Sequence, residues 1–191
     1  EDDVRDLGLD VARGRSKDRA VRMSTAHALN IAPLIEPVAV ERRITLQIPG
    51  IKYDVSGQLD VQEPLRVRDS KTSAKTKGQE DVERSVQLQL YTMLVETADG
   101  VRPTEACLDV MVKPTTTGIV KTQVLTAPTP TDHAPVLMRL SAAARVLEAG
   151  AFMPVDPTGP GAWVCSERFC GFYHRCPYGA RARVVIPAPG L

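Results

Sequence analysis

Alternating apolar and polar residues predict a small antiparallel sheet in the first half of the chain. Residues 38–48 alternate, and after a Pro-Gly turn residues 51–61 predict a second strand. Such alternation is typical of strands with one face against a core and the other in water. A Glu-Pro turn then leads into a third short strand, residues 65–71. Because the turns are short, we expect the three strands to pair as an antiparallel meander.

Apolar residues at helical spacing predict helices beside these strands. Residues 1–30 fit one or two helices loosely, and clearer stripes lie in residues 80–97 and 135–150. The two stripes are formed by Val82, Val86, Leu90 and Leu94 and by Val136, Leu140, Ala144 and Leu147. Between them, the dense apolar run 105–113 predicts a central strand buried on both faces, and residues 119–127 an edge-like strand. The pattern indicates an α/β fold with a mixed sheet flanked by helices.

Composition and charge are those of an ordinary globular domain. The 191 residues are 43% hydrophobic and 25% charged, with a formal net charge of +1. This length suffices for one domain with a sizeable core. The near-neutral balance does not announce a nucleic-acid binder, although a local basic patch suffices for that function. Neither a membrane-length apolar run nor a signal-peptide pattern is found, so we expect a cytoplasmic protein without a membrane partner.

Three charged residues on the second and third strands form a candidate catalytic group. Asp69 and Lys71 are two positions apart, so on a strand they project from the same face. Strand pairing can bring Asp60 beside them. Two carboxylates suit a hard divalent cation, and an ammonium group can position water or stabilise developing charge. The alternative is a solvated strand face, and Glu41 is either a further carboxylate of the group or a solvated strand residue.

Three short motifs, in their order and separation, resemble the RecB-type branch of the PD-(D/E)XK nucleases. They are Gly57-x-x-Asp60, Asp69-x-Lys71 and Gln87-x-x-x-Tyr91. The resemblance implies a restriction-endonuclease-like core and a DNA nuclease that depends on Mg²⁺ or Mn²⁺. It further implies that Asp60 and Asp69 are metal ligands and that Lys71 is the catalytic lysine. Gln87 and Tyr91, on one face of a helix, would orient the site and the DNA.

Other basic residues have two interpretations. The polar segment 72–78 predicts a flexible loop, in which Lys75 and Lys77 either contact DNA phosphates or are ordinary surface residues. In the RecB-type family, a histidine of an N-terminal helix binds metal within a Gly-x-x-x-His pattern. Here Met23 stands at the glycine position before His27, so we expect an ordinary surface or helix-end histidine.

Three of the four cysteines, Cys165, Cys170 and Cys176, lie within twelve residues. In a cytosolic protein such clustering favours a metal over disulfides. The tail resembles the C-terminal cluster of iron–sulfur RecB-type nucleases, which ends in Cys-Pro, although four residues separate Cys165 from Cys170 where the family usually has two. We expect a [4Fe–4S] cluster, with zinc and His174 as the alternative and cysteines without metal as the third interpretation. Cys107 is expected to be a buried free thiol.

The sequence thus predicts one nuclease domain over residues 1–191. Its expected parts are an N-terminal helical part, 1–37, that lacks a preceding segment, a catalytic core, 38–150, and a linker with a cysteine-bearing tail, 151–191. The expected function is exonucleolytic cleavage of single-stranded DNA ends in recombination, repair or phage DNA processing, beside a helicase or recombination partner. The alternatives are a non-catalytic DNA-binding subunit that keeps the fold, and a zinc-binding interaction module with an unrelated α/β body.

Overall fold

A five-stranded mixed sheet forms the centre of the first part of the chain. The structure is a computed structural model that describes residues 10–114, 119–151, 155 and 161–176. The strands are β1 (Ala39–Leu46), β2 (Val55–Glu63), β3 (Arg66–Ser73), β4 (Glu105–Val112) and β5 (Lys121–Pro128), in the spatial order β1-β2-β3-β4-β5. Neighbours are antiparallel except β3 and β4, which are parallel. The predicted meander, central strand and edge strand are confirmed.

Within the described residues, four α-helices accompany the sheet. They are α1 (Asp10–Asn30), α2 (Gln79–Glu83), α3 (Val86–Asp99) and α4 (Ala134–Glu148), with short 3-10 turns at Ala32–Leu34 and Ala162–Val164. The prediction of one helix over residues 80–97 is wrong. Ser85 separates α2 from α3, because its hydroxyl accepts a hydrogen bond from the Leu88 amide at 3.3 Å and caps α3. No helix in the described part of the chain is both long and apolar enough to cross a membrane.

The two faces of the sheet pack against different helices. The larger core lies between α3 and one face, where Leu88, Tyr91 and Leu94 meet apolar residues of all five strands. A smaller cluster on the other face joins α1 and the segment after it to β4 and the start of β5; its buried residues are Met23, Ile31, Met111 and Val120. Strand β4 contributes to both, which explains why its sequence is apolar at almost every position.

Strand bounds differ from the predicted ones where pairing extends or shortens a strand. β3 continues to Ser73, because its polar end pairs with β4 up to Val112. β2 begins at Val55 and ends at Glu63, so the predicted start at residue 51 lies in the preceding turn. Of the predicted turn at 114–118, residues 115–118 lie outside the described residues, as does most of the predicted linker 151–161.

The chain divides into two compact units, residues 1–144 and 145–191. The first contains the whole sheet and α1 to α3. The second contains the end of α4, where Gly150 adopts a φ of 62° after the helix, and the segment that carries the three clustered cysteines. The positive φ explains the helix stop predicted at this glycine.

Candidate active site

β3 places Asp69 and Lys71 together on the face that packs against α3. The Lys71 ammonium lies 3.1 Å from Asp69 Oδ1 and 2.9 Å from Oδ2. Asp69 is 1% exposed, whereas the Lys71 side chain is 45% exposed. The two side chains therefore share one face, as the Asp-x-Lys spacing predicts, and the structure adds that the carboxylate is buried while the cation reaches solvent.

Asp60 joins this pair where β2 separates from β3. Regular pairing of the two strands runs only from Val61 opposite Arg68 to Glu63 opposite Arg66. At the next position, Asp60 Oδ2 accepts a hydrogen bond from the Ser70 amide at 2.7 Å. At this level the Asp60 carboxylate therefore takes the place of a backbone carbonyl as the acceptor, and the bond fixes the carboxylate beside β3.

The β1–β2 ladder is also broken at this level. Its register omits the Glu41–Asp60 pair, and Glu41 has a φ of 50°, which is unusual for a residue other than glycine. Leu59 and Gln62 of β2 both reach α3: Leu59 packs in the core beneath it, and the Gln62 amide donates a hydrogen bond to Asp99 at 2.8 Å. In a regular strand, residues three apart would point to opposite faces. Such local irregularities are frequent beside functional sites because they redirect side chains.

The environment of Asp69 suits a bound cation. Burial raises the pKa of its carboxyl, and the charges of Asp60 and Asp109 add to this, while Lys71 opposes it. Oδ2 is buried and, among the described residues, accepts no hydrogen bond of normal geometry, even with Lys71 nearby. A divalent cation would satisfy this oxygen and neutralise the two carboxylates. Mg²⁺ commonly binds through one or two carboxylates, so Asp60 and Asp69 are of the ligand type that it prefers.

α3 carries the third motif beside these strands. The Gln87 amide donates to the Tyr91 hydroxyl at 2.8 Å, one helical turn away, as the spacing predicts. Tyr91 is 7% exposed and lies against Gly57 of β2. A Cβ atom at Gly57 would lie 2.6 Å from Leu94 Cδ1 and 3.1 Å from Tyr91 Cε1. The glycine of the first motif therefore has a physical role: it lets β2 approach α3 closely.

The other predicted candidates lie in the loop after β3, in β1 and in α1. Lys75 is exposed, and Lys77 pairs with Asp81 at 3.1 Å in the loop and short helix after β3. Glu41 is exposed and accepts a hydrogen bond from Gln58 at 2.6 Å. His27 lies in the last turn of α1, as expected for a helix-end histidine, but it is half-buried.

A buried charge network behind β3 was not anticipated from the sequence. Arg68, 2% exposed, contacts Glu63 at 2.6 Å and Asp109 at 2.9 Å. Burial raises the pKa of the Asp109 carboxyl despite Arg68. At Glu63, burial is outweighed by hydrogen bonds from the Glu36 amide and Arg68, so its pKa is lowered. The available signal was an aspartate at the centre of the apolar strand β4, since a buried charge requires a partner.

The cysteines differ in their surroundings. Cys107 is fully buried, as predicted, and burial raises the pKa of its thiol to about 11. Cys165, Cys170 and Cys176 are free and partly exposed, and His174 lies 3.7 Å from Glu167. Within the part of the chain that the structure describes, no three His, Cys, Asp or Glu side chains converge as a metal-binding group. The three thiols therefore do not form a ligand set in this conformation.

Comparisons with known proteins give a family and two matching solved structures. The profile of the PD-(D/E)XK nuclease superfamily matches residues 3–177. The crystal structure of SSO0001 is 20% identical, with a TM-score of 0.48, over 84% of this chain and 68% of that one. A protein from Eubacterium rectale, described as a candidate exonuclease, is 11% identical, with a TM-score of 0.51, over 72% of this chain and 55% of that one. The chain thus spans about half the length of the latter protein. No curated protein matches the chain.

Proposed function

Because the chain belongs to the PD-(D/E)XK nuclease superfamily, we propose that it hydrolyses phosphodiester bonds in DNA with Mg²⁺ or Mn²⁺. The single observation that supports this most strongly is the buried Oδ2 of Asp69, which lacks a normal hydrogen bond beside Asp60 and Lys71. A purely structural aspartate with this burial would be expected to have its oxygens satisfied. Oδ2 is in ionic contact with Lys71 at 2.9 Å but accepts no hydrogen bond among the described residues, so it could still bind a cation.

Asp60 and Asp69 would hold the cation, which when bound would polarise the scissile phosphate and lower the pKa of a bound water. Asp60 is held in place by the Ser70 amide, and Asp69 by burial and by Lys71. Lys71, whose side chain is partly exposed, would orient the attacking water and stabilise the negative charge that develops on the phosphate. The 2.9 Å contact to Asp69 keeps its ammonium group at the reacting centre.

Gln87 and Tyr91 would act as positioning residues. Their mutual hydrogen bond and the packing of Tyr91 on Gly57 connect α3 to β2, the strand that carries Asp60. Lys75 and Lys77 would contact DNA phosphates from the loop after β3. Lys75 is the more available of the two, because Lys77 pairs with Asp81.

The proposed substrate is the end of a single DNA strand. The ordered motifs from Gly57 to Tyr91 support the RecB-type branch, and the E. rectale protein described as a candidate exonuclease has the same fold. We place the activity in recombination, repair or phage DNA processing in the cytoplasm, with a helicase or recombination protein as partner. The nuclease domain would extend over residues 1–191, with its core at 38–150.

An iron–sulfur cluster at Cys165, Cys170 and Cys176, or a zinc ion with His174, would order the tail. In the described conformation the three thiols do not converge, so the tail as it stands does not fit either group, and no step of the reaction depends on one. Metal analysis and the absorbance spectrum of anaerobically purified protein test this. Bound iron with visible absorbance supports the cluster, and stoichiometric zinc supports the alternative. Protein that contains no iron and no zinc would reject both proposals.

The proposed activity is tested with end-labelled linear and circular DNA, single- and double-stranded, in Mg²⁺, Mn²⁺ or EDTA. We expect metal-dependent degradation of linear single strands and no cleavage of circular ones. Cleavage of circular DNA would refute exonuclease action but would still support nuclease activity. Binding without cleavage under every condition would instead identify a non-catalytic DNA-binding subunit.

A further inference from the structure

A cavity of about 520 Å³ lies between α1 and the ends of β3 and β4. Ser70 and Thr72 line it, and these residues alternate with Asp69 and Lys71 along β3. Because successive strand residues point to opposite faces, the cavity lies on the face opposite the Asp69–Lys71 pair. Its volume is within the range of about 300–1,000 Å³ that is typical of ligand pockets.

The cavity lining is suited to an anion. Arg19, His27 and Lys113 contribute basic groups, and hydroxyl donors come from two serines of α1 and from Ser70 and Thr72. None of the lining residues is acidic. Among the described residues, neither Arg19 nor Lys113 has an ion-pair partner. Cationic and hydroxyl donors of this kind are the groups that contact nucleic-acid phosphates.

One buried carboxylate lies behind the cavity, and Arg68 offsets only part of its charge, because Arg68 also contacts Glu63. Asp109 is fully buried and close enough to His27 for the imidazole to lower its pKa, against the dominant effect of burial. Arg68 contacts Asp109 at 2.9 Å on the same face of the sheet. Among the described residues, neither Arg19 nor Lys113 forms an ion pair with this carboxylate, so these two basic groups remain available for a ligand.

Ser70 connects the cavity to the proposed catalytic group. Its amide donates to Asp60, its neighbours in sequence are Asp69 and Lys71, and its side chain lines the cavity. Regular backbone pairing between β2 and β3 ends at Arg68, and beyond it the hydrogen bond from the Ser70 amide to Asp60 joins the two strands. Ser70 is therefore shared by the cavity and by the proposed catalytic group, which puts the cavity next to that group.

We propose that this cavity binds backbone phosphates of the single DNA strand next to the bond that is cleaved. The proposal rests on the function proposed above, because it takes DNA to be the substrate. Arg19 and Lys113 would supply the main charges, and the hydroxyls of Ser70 and Thr72 would donate hydrogen bonds. A free nucleotide presents the same phosphate chemistry, so the test includes one.

The test measures binding of a fluorescein-labelled single-stranded oligonucleotide to the full chain in EDTA, by anisotropy over a range of salt concentrations. Arg19→Gln and Lys113→Gln should each weaken binding about three- to tenfold, and the slope of log K against log salt should fall by about 0.7 for each phosphate that is no longer neutralised. Arg19→Lys should retain most of the affinity. Lys52→Gln, an exposed lysine in the turn between β1 and β2, is the matched control and should bind as the unaltered chain does.

Cleavage in Mg²⁺ separates this proposal from the catalytic one. If both are correct, the Arg19 and Lys113 variants raise KM and change kcat less than about twofold. If the unaltered chain never cuts DNA but the variants still bind more weakly and with a smaller salt dependence, the catalytic proposal fails and the cavity proposal stands. Binding equal to that of the unaltered chain, or an equal weakening in Lys52→Gln, overturns the cavity proposal. The free nucleotide used in the test is deoxyadenosine monophosphate. If the variants bind it more weakly but bind the oligonucleotide as the unaltered chain does, the cavity proposal is also overturned.

Discussion

Gly57→Ala tests whether the close packing of β2 on α3 is as the structure describes. The added Cβ would lie 2.6 Å from Leu94 Cδ1 and 3.1 and 3.3 Å from two Tyr91 ring carbons. Favourable carbon contacts lie at about 3.5–4.0 Å, so Leu94 would have to move by roughly 1 Å. Leu94 is fully buried and Tyr91 nearly so, which leaves neither much room.

The expected cost follows from two opposing effects. Overpacking of this kind costs about 1–3 kcal/mol. Replacing glycine in a strand recovers about 0.5–1 kcal/mol, because the unfolded chain loses freedom. The middle values of these two ranges leave a net loss in the free energy of unfolding of about 1 kcal/mol, or a fall of about 2–4 °C in Tm for a chain of this size. Because Tyr91 must shift, its hydrogen bond with Gln87 should also weaken, and kcat should fall.

Thermal unfolding and urea titration measure this change, and Gly14→Ala is the matched control. Gly14 lies exposed in α1 with no atom within 4 Å of an added Cβ. Alanine there should stabilise the helix by up to about 1 kcal/mol. Opposite signs for the two substitutions support the described packing. A Gly57→Ala protein as stable and as active as the original would refute it.

Three further predictions concern buried ionisable groups. The pKa of Asp69 is raised in the folded state, so its ionisation at pH values above the unfolded pKa of about 3.9 lowers the stability of the fold. Asp69→Asn should therefore raise Tm at pH 7–8, and this advantage should disappear below about pH 4. The variant should also no longer be stabilised by Mg²⁺. Arg68→Ala should lower the free energy of unfolding by about 3–5 kcal/mol in a urea titration, because Asp109 would remain buried without its cation and Glu63 would keep only Arg66 at 3.4 Å. An equally stable variant would contradict the network. In metal-free native protein at pH 8, a thiol reagent should modify the three tail cysteines and spare Cys107, whose pKa of about 11 and burial keep it unreactive; modification of Cys107 without unfolding would contradict its placement.

Hydrophobic patterning was sufficient to predict most of the sheet. The meander, the doubly buried β4 and the edge position of β5 follow from alternation, apolar density and short turns. The helix at 80–97 was mispredicted because its apolar stripe continues across Ser85. Only the capping bond to Leu88 shows that one helix ends and another begins there.

The site was partly predictable for a related reason. The Asp-x-Lys spacing fixes which residues share a face of one strand, and the structure brings Asp60 to them. The break in the ladder at Glu41 and Asp60 could not be derived, because it depends on how three strands separate rather than on any local pattern. The cavity was also missed, since Arg19 and His27 reach it only through the packing of α1 against β3 and β4.

The most direct test of the central claim is the rate of single-strand cleavage by Asp69→Asn and Lys71→Ala at saturating Mg²⁺. The proposed roles of the two residues predict that each substitution lowers kcat by about 10²–10⁴-fold, while the chain stays folded and still binds DNA. Lys52→Gln should cleave at the original rate. Undiminished cleavage by either of the first two variants would contradict the assignment of Asp60, Asp69 and Lys71 as the catalytic group.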